Sequence, residues 1–298
     1  MGVISALKDA DEFAVSSAGE AAELRGYTDK PVNILSAPDK TAEASYSDDV
    51  FPAVCTVSDV EFVKNHGARK VNVKVNTGMN RYGADEVGLE ELLKAIEGAG
   101  MSVKDVFSHV YDISAAEEQF ERFMSAARYL EGYFEQKHIL SSNFLRLPEY
   151  MHLDMVRPGL VLYGYGDPRV SSAVKATCGV TQVRKVTADD NVGYGKVLSG
   201  RAREIAVLGV GYGDGYRRTT AGESRFVSIR GNLCPIVGQI CMDACMADVS
   251  GIGAEVGEEA CIIGADYGVE ALAAAEGTIA YEILTGLSKR VERQYIKE

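Results

Sequence analysis

The chain has 298 residues, 46% of them hydrophobic and 25% charged, the balance of an ordinary globular protein. A formal net charge of −12 excludes the concentrated basic surface a nucleic-acid partner needs. No apolar run reaches the roughly 20 residues of a membrane helix. The start, Met1-Gly2-Val3-Ile4-Ser5-Ala6-Leu7-Lys8, also lacks the basic-then-apolar order of a secretory signal.

In chain order, Gly2–Leu7 reads as the tail of a helix. Short β-rich runs then alternate with helical stretches. The strands expected are Glu12–Ser16, Val32–Leu35, Phe51–Cys55, Val71–Val75, Asp105–His109, His138–Ser141 and Leu160–Tyr163. Helices are expected at Ala18–Arg25, Val57–His66, Glu86–Ala99 and Ala115–Gln136; in the last, Phe120, Phe123, Ala127 and Leu130 recur at helical spacing. Strict strand–helix alternation implies parallel pairing with right-handed crossovers.

Beyond about Val170 the rhythm changes to short strands separated by turns: Thr177–Val186, Ala206–Val210, Arg225–Arg230, Pro235–Val237, Ala247–Val249 and Glu259–Ile263. Gly231-Asn232 and Gly251-Ile252-Gly253 suit tight connections, and two closing helices are expected at Gly268–Ala275 and Thr278–Thr285. The fold class is therefore α/β plus β, with domains at 1–170 and 171–298. The six cysteines have neither disulfide-scaffold nor zinc-ligand spacing, so they are expected reduced, in a cytoplasmic protein.

Four segments stand out: Val73-Lys74-Val75-Asn76-Thr77-Gly78-Met79-Asn80-Arg81, Met155-Val156-Arg157-Pro158-Gly159, Val192-Gly193-Tyr194-Gly195 and Cys241-Met242-Asp243. In that order they resemble the alanine racemases that join a pyridoxal-phosphate barrel to a β domain, and the resemblance covers essentially the whole chain. It implies a (β/α)8-type barrel missing its first βα unit, a pyridoxal 5'-phosphate cofactor, and interconversion of L- and D-alanine for cell-wall supply. It also implies a homodimer in which Tyr194 and Met242 serve the partner's site.

Residue by residue, the resemblance places Arg157 against the pyridine nitrogen; an arginine can also simply pair with a carboxylate such as Asp154. Ser142, Gly159 and Leu160 would hold the cofactor phosphate, although Ser142 also suits a helix N-cap. Tyr194 would be the acid/base on one face of Cα, linked through His109 to Arg157; a core histidine is the plainer reading of His109. Arg81 and Met242 would meet the substrate carboxylate, and Tyr212 of Gly209–Arg218 would gate the entrance, with Asp243 a shared acidic residue. Lys74 matches a lysine often carbamylated to hold Arg81, and Asn76 replaces a common Asp. Lys289 stands where some members place a phosphate-binding Tyr, so it contacts the phosphate or is merely exposed.

One piece of the pattern is absent: the strand-end lysine, followed by Tyr-Gly-His-Gly, to which the family attaches its cofactor. Lys8 lies on the first helix and Lys74 ends a different strand, so no lysine replaces it by position. The chain is expected to be the greater part of a racemase whose start was misplaced or lost, with weak or no racemisation as written; the alternatives are a non-catalytic binder of cofactor or amino acid and a serine-type racemase domain. Barrel closure is in question too, because the strand between the second and eighth would be missing.

Overall fold

The computed structural model describes residues 2–194, 202–218 and 225–296. They fall into two compact units, Met1–Gly159 and Leu160–Glu298.

In the first unit, seven strands lie side by side in chain order: β1 Phe13–Val15, β2 Val32–Ile34, β3 Val50–Val54, β4 Lys70–Lys74, β5 Ser102–Phe107, β6 Gln136–Ser141 and β7 Met155–Arg157. Every neighbouring pair is parallel. The helices between them are α1 Gly2–Ala6, α2 Ala18–Arg25, α3 Val57–Asn65, α4 Leu89–Gly98 and α5 Ala116–Tyr129. Capping boxes start two of them, Ser17 with Glu20 on α2 and Thr56 with Asp59 on α3, each satisfying otherwise orphaned N–H groups. Phe120, Phe123, Ala127 and Leu130 are all buried, as their spacing predicts, and Phe123 alone contributes about 2–3 kcal/mol of burial. β1 and β7 end the strand order and do not pair with each other, so the barrel is one strand short of closing.

One expectation shifts here. The seventh strand is Met155–Arg157, while Leu160–Tyr163 is a 3-10 turn. Pro158 has no N–H for a ladder and breaks the strand, and a short apolar run cannot declare strand or turn by itself. The compact packing divides after Gly159, and Leu160 and Tyr165 are buried in the core of the second unit.

The second unit carries a six-stranded antiparallel sheet in the order β11-β10-β13-β8-β9-β12. Its strands are β8 Ala176–Lys185, β9 Glu204–Leu208, β10 Phe226–Ile229, β11 Asn232–Pro235, β12 Cys245–Asp248 and β13 Glu259–Ile263, followed by helices α6 Val269–Ala275 and α7 Ala280–Gly286. Strand β11 starts earlier than the expected Pro235–Val237. The turn is Arg230-Gly231, both left-handed with φ of 53° and 73°, and the first pair beyond it is Ile229 with Asn232. All six cysteines are free. Among the described residues no helix is long and apolar enough to cross a membrane, and no cluster of His, Cys, Asp and Glu could hold a metal ion.

Candidate active site

Parallel barrel strands present their functional groups at their C-terminal ends, and the candidate residues of the first unit gather there. Lys74 ends β4, Ser108-His109 follow β5, Ser142 follows β6 and Arg157 ends β7. The Phe107 ring is the common floor: Lys74 Nζ lies 5.2 Å and Arg157 Cζ 5.6 Å from its centroid.

Arg157 is fixed from inside the barrel. One Nη donates to Ser108 O at 2.7 Å and Ile139 O at 3.2 Å, and the other to His138 Nδ1. Its Nε–H is left for a ligand. The carboxylate alternative does not arise, since Asp154 accepts from the Lys137 backbone N–H at 2.8 Å. An arginine only donates, so His138 must offer Nδ1 as acceptor and carry its proton on Nε2, which faces Asp105 Oδ2 at 3.6 Å. Burial, then the Arg157 charge, push the His138 imidazolium down to about 4, so the ring is neutral. Burial opposes ionisation of Asp105, but the His138 and Lys104 side chains beside it win and hold its carboxyl below the usual aspartate value. Lys104 Nζ bonds Asp105 at 2.9 Å and Glu12 at 2.7 Å, and Asn33 closes on Glu12 at 2.6 Å.

The imidazole that Arg157 bonds is His138, a residue the expected relay did not include. β6 neighbours β7, with His138 in register with Met155, two residues before Arg157; that register is invisible in the sequence. His109 is half-buried and makes no hydrogen bond among the described residues. Burial, then the charges of Arg157, Arg81 and Lys74, push it down to about 4.

Arg81 is exposed on the loop after β4, and Lys74 does not touch it; Lys74 Nζ donates to Leu35 O at 2.8 Å. Asn76 organises that loop better than a carboxylate could. Its Oδ1 accepts from the N–H groups of Gly78 and Asn80, both at 3.1 Å, while its Nδ2 donates to Asn80 and Asp85. An aspartate would lack the two donors. Ser142 is not a helix cap: its Oγ accepts from the Gly159 N–H at 2.6 Å, bringing two expected phosphate contacts together. A Cβ at Gly159 would come only to 3.7 Å from Ser142 Oγ, so there is room for an anion's oxygen. A fixed guanidinium, a hydroxyl beside a backbone amide and a cationic surround fit an aromatic phosphate such as pyridoxal 5'-phosphate.

The remaining expected residues lie in the second unit. Tyr194, Tyr212 and Met242 are all exposed, and Gly195 lies outside the described residues. Tyr212 N–H donates to Cys241 O at 3.0 Å and Gly213 N–H to Met242 O at 2.9 Å, so the gate turn and the Met242 loop are stitched together. Their approach demands glycine: a Cβ at Gly211 would lie 2.3 Å from Cys241 O, and one at Gly213 would lie close to the Arg290 guanidinium. Arg290 was not foreseen. Its Nε donates to Asp214 and one Nη to Asp243, both at 2.8 Å, clamping both loops from the C-terminal segment. Its neighbour Lys289 is exposed.

Residues 1–167 match the family described as alanine racemase, N-terminal domain, and residues 173–295 the alanine racemase, C-terminal domain. "Alanine racemase 2" of Caldanaerobacter subterraneus subsp. tengcongensis is 34% identical, aligning over 96% of this chain and 81% of its own length. The alanine racemase of Clostridium novyi is 31% identical over 97% of this chain and 82% of its own. Among solved structures, alanine racemase from Acinetobacter baumannii superposes with a TM-score of 0.83 at 27% identity, covering 98% of this chain and 87% of that one. The biosynthetic alanine racemase of Pseudomonas aeruginosa gives the same score and identity over 99% and 88%.

Proposed function

Because this chain belongs to the alanine racemase family, we propose that it binds pyridoxal 5'-phosphate beside Arg157 and exchanges the α-proton of alanine. Bound there, the cofactor supplies an electron sink for the charge that develops at the substrate α-carbon. Arg157 cannot give up its proton, so a ring nitrogen facing it stays unprotonated and the sink stays modest. His138 and the two carbonyl contacts keep that guanidinium from turning away. The Ser142 hydroxyl, fixed by the Gly159 N–H, and the adjoining backbone of Gly159 and Leu160 hold the phosphate. Arg81 and Met242 take the substrate carboxylate, and Tyr212 controls entry.

Tyr194 Oη is the proton carrier on one face. A tyrosine titrates near 10, so it works at neutral pH only beside cationic or donor groups, and His109 next to Arg157 is the expected neighbour. Because Tyr194 and Met242 stand exposed on the second unit, a second copy of the chain is the natural recipient, which makes the active form a homodimer. The second reading is a cofactor binder without turnover.

The observation that carries the proposal is the Arg157 guanidinium, locked on three sides with Nε–H to spare. Exchange of the alanine α-proton in deuterated water tests it with the cofactor present. Cofactor-dependent exchange is expected, abolished in Arg157→Met. Cofactor binding with no exchange selects the binder, and faster exchange with serine than with alanine would overturn the substrate.

A further inference from the structure

We propose that Asp105 is a positioning residue that fixes the Arg157 guanidinium through His138, at the head of a closed ring of hydrogen bonds across the barrel interior. The inference rests on the cofactor reading of Arg157 and extends it to residues that touch no ligand.

The ring draws on four parts of the sheet. Lys104 Nζ, on β5, donates to Glu12 Oε2 at 2.7 Å and to Asp105 Oδ2 at 2.9 Å. Asn33 Nδ2, on β2, donates to the same Glu12 oxygen at 2.6 Å, and Asn72 Nδ2, on β4, donates to Asn33 Oδ1 at 2.7 Å. The Asp105 backbone N–H closes the ring by donating to Asn72 Oδ1 at 3.2 Å. Glu12 is half-buried, and the other members are buried. Glu12 precedes β1 and Arg157 ends β7, so the ring and its outlet tie the first strand of the order to the last.

Asp105 is that outlet. His138 Nε2 faces Asp105 Oδ2 at 3.6 Å and has no hydrogen-bond partner among the described residues. At that distance the carboxylate attracts the N–H dipole without a full hydrogen bond. The attraction still decides the tautomer. A proton on Nε2 points at a carboxylate and leaves Nδ1 to accept from Arg157. A proton on Nδ1 would set two donors face to face and turn the Nε2 lone pair toward a negative charge. The Asp105 charge also acts on Arg157 directly. Burial brings that guanidinium down to about 10, and Asp105 is the charge that opposes it. Two carboxylates, Glu12 and Asp105, thus balance two cations, Lys104 and Arg157; without Asp105 the interior keeps both cations and one carboxylate.

The test uses the full chain with its histidines labelled at nitrogen, the His138 signals being those lost in His138→Gln. Native His138 is expected to carry its proton on Nε2, with Nδ1 bare. Asp105→Leu should lose that preference and weaken pyridoxal 5'-phosphate binding about tenfold in equilibrium dialysis. Asp105→Asn keeps an oxygen facing Lys104 and Nε2, so it should hold the tautomer and stay within about threefold of native affinity. A native ring protonated on Nδ1, or the native tautomer surviving in Asp105→Leu, would overturn the proposal. So would a changed tautomer at unchanged cofactor affinity. Should Asp105→Leu fail to fold, the native spectrum and Asp105→Asn carry the test, and tenfold weaker binding by Asp105→Asn with its tautomer intact would overturn it. A native chain with the expected tautomer that binds no cofactor would overturn the cofactor reading and leave the contact from Asp105 to Arg157 standing.

Discussion

Arg157 and the Met242 loop are each held in place by several contacts, and the two units do it by different physics. Arg157 is set by a buried series of ionic and polar partners, His138, Asp105, Lys104 and Glu12, with Asp105 and His138 wholly shielded from water. The Met242 loop is set at the surface by two backbone hydrogen bonds, glycines too close to a neighbour for any Cβ, and the exposed Arg290 clamp. Buried charges interact strongly and suffer when a partner is lost; exposed ones act mainly by geometry. The first arrangement should therefore be sensitive to pH and to loss of charge, the second to backbone bulk.

The largest effect that would break this contrast lies at Asp105. Asp105→Ala leaves Lys104 short of a partner in the barrel interior and should cost about 3–5 kcal/mol in urea unfolding. A loss no larger than that of a surface ion pair would refute the buried description. Acid titration is next. His138 takes up a proton below about pH 6.5 when unfolded but only near 4 when folded. The unfolded chain thus binds more protons in that window, so stability is full above pH 6.5 and falls as pH drops toward 4. The contribution is about 3 kcal/mol at 1.36 kcal/mol per unit. The difference curve between the native protein and His138→Gln should show it, and parallel acid limbs would contradict it.

In the second unit, Gly211→Ala drives a Cβ into the Cys241 carbonyl and should cost roughly 2 kcal/mol. At Gly231, where a Cβ would meet nothing, the left-handed φ alone should cost about 1 kcal/mol. Equal melting shifts for the two would remove the case for a stitched loop. Smallest in stability is Arg290→Met, because exposed ion pairs contribute little. Its signature should instead be faster alkylation of Cys241, the half-buried thiol of the clamped loop, with Arg290→Lys intermediate. An unchanged alkylation rate would mean that the clamp holds nothing.

The sequence made the alternation of strands and helices legible, because periodicity reports burial directly. Phe123 and Leu130 show it in α5, and the capping residues Ser17 and Thr56 mark the starts of α2 and α3. It placed the end of β4 to within one residue, with Lys74 in a recognisable segment. What it hid depends on register and on long range. His138 reaches Arg157 only through the pairing of β6 with β7, and Lys104 reaches Glu12 across 92 residues. Arg290 meets Asp243 from a segment 47 residues on. Leu160–Tyr163 misled because an apolar run four residues long suits a strand as well as a turn that packs into the next core.

The central claim is that Arg157, held by its buried partners, makes a cofactor site. The most direct measurement is a titration of pyridoxal 5'-phosphate by equilibrium dialysis, comparing the native chain with Arg157→Lys, which keeps the charge but loses the fork. Saturable binding, displaced by inorganic phosphate and weakened at least roughly tenfold in the variant, is the predicted result, equivalent to about 1.4 kcal/mol or more. Equal binding by both proteins, or none by the native chain, would contradict it.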